Sequence, residues 1–436
     1  MWQQFGFRAN PYTSEPVPAT AEGDRLLVGR DALITKLTSR IISGGNHATV
    51  EGDNGVGKTS LLSVVTYRLR RAHEEGALSR LFVPLNRVLQ PNDAQSVDEF
   101  IKRVYFTIAS TIVDEHDALK RSGANVPDVA EVKRWMQSPM FTDSGGTVSV
   151  LGSGIGVNRG RAPNTGQGFT EVGFQEIVDR WLRQLFPSST AGGFICVLDN
   201  MELLDKTQEA RYLLEGVRDP LLGRRGLHWV LCGARGVVRT AVSSPRLEGR
   251  LADPLDVLPL KDEDAIAAVE RRIAHMRETS ESVAPVGHET FRRLYEIVNH
   301  NLRNAFKYAG DFSQWLVEKD HVSGDAAEYA ALFEVWFADM ADKHHRETAL
   351  RNRAWQLFDA LADRGGSCSP GDFTQFGFNS SAAMRTQIKA LELENLVYSS
   401  VTEDEDRRRK TIVMTPRAWL VRYARGGYRL PGPASA

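Results

Sequence analysis

Cysteine is scarce: Cys196, Cys232 and Cys368 are three in 436 residues, odd in number and widely spaced. That excludes a disulfide framework or a thiolate metal cluster as the organising device and points to a reducing cytoplasm. An excess of one charge is also missing, with 54 Lys and Arg against 55 Asp and Glu and a formal net charge of −1. Such balance gives no global attraction to nucleic acid or acidic lipid, so binding of either kind must come from local patches. No run of 18 or more apolar residues occurs, and Met1-Trp-Gln-Gln-Phe-Gly-Phe-Arg lacks the basic-then-apolar layout of a signal peptide. The expectation is a cytoplasmic chain with no membrane partner. No periodic repeat is visible, and no constellation of acid, base and nucleophile marks a metabolic enzyme. What is present is a 42% hydrophobic share, enough at this length for two or three domains.

The segment Thr49-Val-Glu-Gly-Asp-Asn-Gly-Val-Gly-Lys-Thr-Ser-Leu-Leu62 fills every fixed position of the P-loop pattern with Gly52, Gly57, Lys58 and Thr59. The pattern carries a mechanism. Its glycines let backbone N–H groups fold around phosphates, and the loop feeds the positive end of the next helix. Asn54, Gly55 and Ser60 complete the loop and its exit. Lys58 is expected on the β and γ phosphates, and Thr59 on Mg²⁺. A short apolar run precedes the motif and a stretch with helical spacing follows it, the strand, loop, helix order that the chemistry requires. The implied ligands are ATP and Mg²⁺.

Residues 1–25 hold Pro11, Pro16 and Pro18 with little periodicity and read as an extended arm. Strand-like runs at 47–51, 81–85, 194–198, 227–232 and 256–260 alternate with helical patterns, which predicts a three-layer α/β domain over 26–260 with a parallel sheet between helices. The glycine-dense stretch 144–168 interrupts that rhythm. It reads either as a loop or small hairpin inserted before a helix at 171–186, or as a substrate or partner loop carrying Arg159 and Arg161. From 261 to 345 the pattern is wholly helical, a lid that begins with acids in its first turn. Residues 346–430 read as a winged helix-turn-helix: helices near 354–361 and 380–394, strands at 396–400 and 411–415 around a polar run, and a last helix from Pro416.

Phe194-Ile-Cys-Val-Leu-Asp199 is a buried strand that delivers a carboxylate at its end, so Asp199 is the expected magnesium partner, with a helix cap as the plainer alternative. Asn200 follows, and Glu202 lies two further on. If Glu202 reaches the γ phosphate the protein turns ATP over; if not, ATP is a slow conformational signal.

Taken together, these residues resemble the AAA+ and STAND branches of P-loop ATPases, in particular the initiator-like group related to origin-recognition proteins. The resemblance covers nearly the whole chain. It implies that Leu27-Val-Gly-Arg30 packs on adenine, and that Arg235, in Leu231-Cys-Gly-Ala-Arg235, senses the γ phosphate. That arginine is similar to the STAND sensor and departs from the asparagine typical of AAA+ members. The resemblance also implies that Arg303, in His300-Asn-Leu-Arg-Asn-Ala305, is the second sensor. Such proteins often assemble with themselves through an arginine finger. Arg246 and Arg250 lie where that finger would sit, although both could equally pair with nearby acids.

In the C-terminal module, Met384, Ile388 and Leu391 are spaced to face a core, leaving Arg385, Thr386 and Lys389 outward, the layout of a recognition helix for duplex DNA. Arg407, Arg408, Arg409 and Lys410 sit in the wing, where they could follow a phosphate backbone. Residues 346–436 hold 14 Lys and Arg against 10 Asp and Glu, a modest +4. Two readings stay open: an ATPase that assembles and acts on double-stranded DNA, or a signalling switch for regulation or antiviral defence whose winged helix packs on protein and whose output goes to a protein effector.

Overall fold

The computed structural model describes residues 1–94, 96–137, 140–141, 148–149, 171–203, 207–404 and 407–426. After a single turn at Trp2–Phe5 come α1 (Ala21–Leu26), α2 (Asp31–Ser43), β1 (Ala48–Glu51), α3 (Lys58–Glu74) and β2 (Leu81–Pro84). They lead to α4 (Val97–Asp114), α5 (His116–Arg121), α6 (Ala130–Gln137), the short pair β3 (Met140–Phe141) and β4 (Val148–Ser149), and α7 (Glu171–Leu185). Next are β5 (Gly192–Leu198), α8 (Thr207–Val217), β6 (Leu227–Gly233), α9 (Val237–Val242) and β7 (Leu255–Asp256).

Strands β1, β2, β5, β6 and β7 form one parallel sheet in the order β2-β5-β6-β1-β7. Period-2 alternation divides its side chains between two layers. Leu81, Val83, Phe194, Cys196, Leu198, Trp229 and Leu231 face a core built with α4, α7, α8 and α9. Phe82, Ile195, Val197, Val230, Cys232 and Val50 face a second core built with α2 and α3. Burial on both faces is why the strands read as continuous apolar runs, and each fully buried Phe or Leu contributes about 1.5–3 kcal/mol.

The expected strand at 256–260 is only Leu255–Asp256. Val257 N–H still donates to Glu51 O at 2.7 Å, but Pro259 has no N–H and the ladder stops. The N-terminal stretch is not merely extended. It contains α1, and Phe5, Phe7 and Tyr12 are buried in the core of the following helical domain. Tyr12 Oη donates to Val286 O at 2.8 Å and accepts from Val286 N–H at 2.9 Å, fastening the segment there. Most of 144–168, including Arg159 and Arg161, lies outside the described residues.

The helical lid is α10 (Asp262–Met276), α11 (His288–Ile297), α12 (Leu302–Glu318) and α13 (Ala326–Arg346). The tail holds α14 (Asn352–Asp363), β8 (Ser367–Cys368), a 3₁₀ segment (Pro370–Phe376), α15 (Ser381–Leu393), β9 (Val397–Asp404), β10 (Arg407–Met414) and α16 (Pro416–Ala424). β8, β10 and β9 make a three-stranded antiparallel sheet. The strand β8 was not expected, and the two long strands run further than the sequence suggests. Arg407–Lys410, expected between strands, pairs in register with Val401–Asp404. No helix among the described residues is long and apolar enough to cross a membrane.

Candidate nucleotide site

The loop between β1 and α3 takes the shape its glycines permit. Gly55 and Gly57 have φ of 88° and 95°, which any L side chain resists. Gly52 runs so close to the chain that a Cβ would stand 2.4 Å from Val257 O. Lys58 is only 7% exposed, and its Nζ donates to Gly52 O at 2.9 Å and Asp53 O at 3.2 Å. A buried ammonium with carbonyl partners alone is a cation waiting for an anion. Thr59 Oγ1 donates to Asp199 Oδ2 at 2.9 Å, and Asp199 Oδ1 accepts the Asn200 N–H at 2.8 Å. One hydroxyl beside one carboxylate fits Mg²⁺, which takes one or two carboxylates and completes its shell with phosphate oxygens and water. No cluster of three or more metal-ligating side chains occurs among the described residues, so the phosphates would have to supply ligands.

A cavity of about 250 Å³ opens here. Asn54, Gly55, Gly57, Lys58, Thr59 and Ser60 line one side, with Asp199, Asn200 and Glu202 beside them. The lid closes the other side with Arg303, Leu302, Phe306 and Arg272, and residues 13–16 of the N-terminal segment form a third wall. The lid is fastened directly to the loop. Asn301 caps α12 by accepting from Asn304 N–H at 3.1 Å and donates from Nδ2 to Asn54 O at 2.7 Å, while Arg303 N–H donates to Gly55 O at 3.3 Å. Ser60 Oγ accepts from Val17 N–H at 3.2 Å, which draws the N-terminal segment over α3.

The β6–α9 loop is held on both sides of Arg235. Glu202 Oε2 accepts from Ala234 N–H at 2.9 Å, and Glu51 Oε2 accepts from Gly236 N–H at 3.2 Å. Glu51 is 1% exposed, and its Oε1 is 3.0 Å from Arg239 Nη2. Arg235 itself reaches back to the P-loop, with Nη2 3.7 Å from Asp53 Oδ2. Behind it, burial raises the Cys232 thiol well above its usual range, so it stays protonated and is no nucleophile.

Other expected residues stand apart from the cavity. Arg30 is buried with Nη2 donating to Val56 O at 2.8 Å, supporting the P-loop from behind, and it does not line the cavity. Arg246 lies 3.4 Å from Glu215 on α8, one of the acid pairings its sequence left open. Arg250 is in the link to β7, where its carbonyl accepts from His47 N–H at 2.8 Å. Arg385, Thr386 and Lys389 are exposed on α15, with Met384, Ile388 and Leu391 buried beneath them. The side chains of residues 407–410 lie outside the described residues.

Sequence reasoning missed Glu51, Arg272 and Asn301. A carboxylate directly before the P-loop glycine was the available hint for Glu51. Arg272 interrupts an apolar stripe of Ala265, Ala268, Val269 and Ile273 on α10, a break visible in the spacing.

The sheet order places β6 between the P-loop strand β1 and the carboxylate strand β5, which defines a three-layer P-loop α/β fold followed by a helical lid and a mixed C-terminal region. No family model matches the chain, and no curated protein does. Among solved structures it is similar to the Orc1 protein of Aeropyrum pernix in complex with DNA, at 13% identity and TM-score 0.48 over 95% of both chains. It is also similar to a Walker-type ATPase of Pyrococcus abyssi, at 13% identity and TM-score 0.46 over 94% of this chain and 98% of that one. A third is Cdc6p of Pyrobaculum aerophilum, at 11% identity and TM-score 0.42 over 96% and 98%.

Proposed function

We propose that the chain is an initiator-like ATPase of the AAA+ and STAND type, which binds ATP with Mg²⁺ between the P-loop and the lid and transmits occupancy to a C-terminal winged helix that engages duplex DNA. The observation that carries the reading is the buried Lys58 ammonium beside the Thr59–Asp199 pair. Lys58 holds the β and γ phosphates, Thr59 and Asp199 hold the cation, and the cation neutralises charge developing on the transferred phosphoryl group. Glu202 or Asn200 orients water, Arg235 and Arg303 read the γ phosphate, and self-assembly would bring Arg246 or Arg250 to a neighbour's site. The test is magnesium-dependent ATP binding by calorimetry. Lys58→Ala is expected to weaken it at least a hundredfold with the melting temperature kept, and undiminished affinity would sink the proposal.

A second reading, the signalling switch with the tail as a clamp, is favoured by one observation. Strand β9 packs against α8 and α9 of the ATPase core. Its Tyr398 is 47% exposed, and its hydroxyl is raised in pKa by partial burial first, then by the nearby Asp53 and Glu202 carboxylates. The two readings separate on duplex binding. If the tail grips phosphates, log affinity falls with log salt by about 0.9 per contact, and Arg407→Ala with Arg408→Ala flattens that slope.

A further inference from the structure

We infer that Arg272, on the first lid helix, contacts the bound nucleotide and takes its phosphate chain as the anionic partner that the protein itself withholds. The inference rests on the nucleotide reading above and adds to it a residue outside the P-loop and the sensor positions.

Arg272 is 7% exposed and occupies a position on α10 that its neighbours Ala268, Val269 and Ile273 would have apolar. Its guanidinium lies 4.2 Å above the Phe306 ring, and Nη1 donates to Thr13 O at 2.6 Å. Nε has no acceptor. No carboxylate among the described residues lies within ion-pair distance of the group, unlike Arg422 and Arg425, which share Asp359. Burial alone lowers its pKa, to about 10, so it stays charged at neutral pH. An unpaired buried cation is costly, and folded chains supply a counter-charge or place the group where a ligand supplies one. Arg272 lines the same cavity as Lys58, Thr59 and Arg303. A ligand with several negative charges in that cavity would compensate it, and the planar guanidinium suits phosphate oxygens.

A purely structural alternative has Arg272 serve only as a latch on the Thr13 carbonyl. The two roles differ in what Arg272→Met does. As a nucleotide contact, its removal takes away an uncompensated charge, so the melting temperature without nucleotide stays level or rises. ATP and ADP then bind roughly ten- to a hundredfold more weakly, while adenosine, measured by competition, changes less than threefold. Arg272→Lys, which keeps the charge and loses the fork, falls between. Equal losses for adenosine and ATP, or a lower melting temperature with ATP affinity kept in either variant, would assign the residue to the latch and overturn the inference. Should wild type bind ATP and Arg272→Met match it, only this inference fails. Should wild type bind no nucleotide, the proposed function fails with it.

Discussion

His47 sits at the foot of the P-loop strand and ties three segments together. Its Nε2 is 2.7 Å from Leu222 O, and its Nδ1 accepts the Trp229 N–H at 3.2 Å, so the neutral ring carries its proton on Nε2. Burial, opposed by the Leu222 bond and aided by His228 and Arg250, lowers the pKa to about 4. The unfolded chain binds a proton near pH 6.5 and the folded one does not until about 4, so stability is lost as pH falls through that window. The loss from this residue is on the order of 3 kcal/mol. His47→Gln keeps an acceptor without a titrating group. Its urea midpoint is expected to fall less than that of wild type between pH 6.5 and 4, and parallel declines would remove His47 as the cause.

At the scale of elements, the β6–α9 loop shows how two carboxylates from different strands fix one arginine. Glu51 ends β1 and Glu202 follows β5, and they hold the N–H groups on either side of Arg235. Glu51→Gln keeps the shape but weakens charge-assisted bonds to two backbone N–H groups and to Arg239. On the proposed function, with Arg235 less well held, ATP hydrolysis is expected to drop tenfold or more while ATP affinity stays within threefold. A matching fall in both would mean that Glu51 holds the fold and not the loop. The place of Glu51 directly before Gly52 was visible in the chain, but its partners, the Gly236 and Arg239 N–H groups and the Arg239 guanidinium, lie some 185 residues on and carry no spacing signature, whereas the P-loop carries its own. Strands β5 and β6 were legible because both faces are buried and their apolar runs are unbroken. β7 was misplaced because two residues of pairing leave no pattern, and the ends of β9 and β10 were hidden by a polar run without alternation. Asn301 is a cap by type, but its second bond, to Asn54 O, depends on a long-range meeting of lid and loop that no local pattern encodes.

Across the whole molecule, the tail touches both sides of the candidate nucleotide cavity. α16 packs on α13 of the lid, where the Phe337 and Tyr423 rings lie 5.1 Å apart, and Asn299 Nδ2 donates to Gly365 O at 3.2 Å. On the other side β9 rests on α8 and α9, with Tyr398 in the field of Asp53 and Glu202. A lid that turns about the P-loop therefore cannot keep both contacts unless the tail bends, and the α16–α13 contact, with Leu420 in the lid core, is the more apolar of the two. The tail should travel with the lid and part from the core at β9. Tyr398→Glu sets a third carboxylate against Asp53 and Glu202, which repels the strand without touching the lid contact. Small-angle scattering is expected to give this variant, without nucleotide, a larger radius of gyration than wild type, and ATP is expected to move wild type in the same direction. If the variant and the ATP-bound wild type both keep the unliganded radius, the β9 contact is a fixed part of the fold and occupancy does not reach the tail by this route.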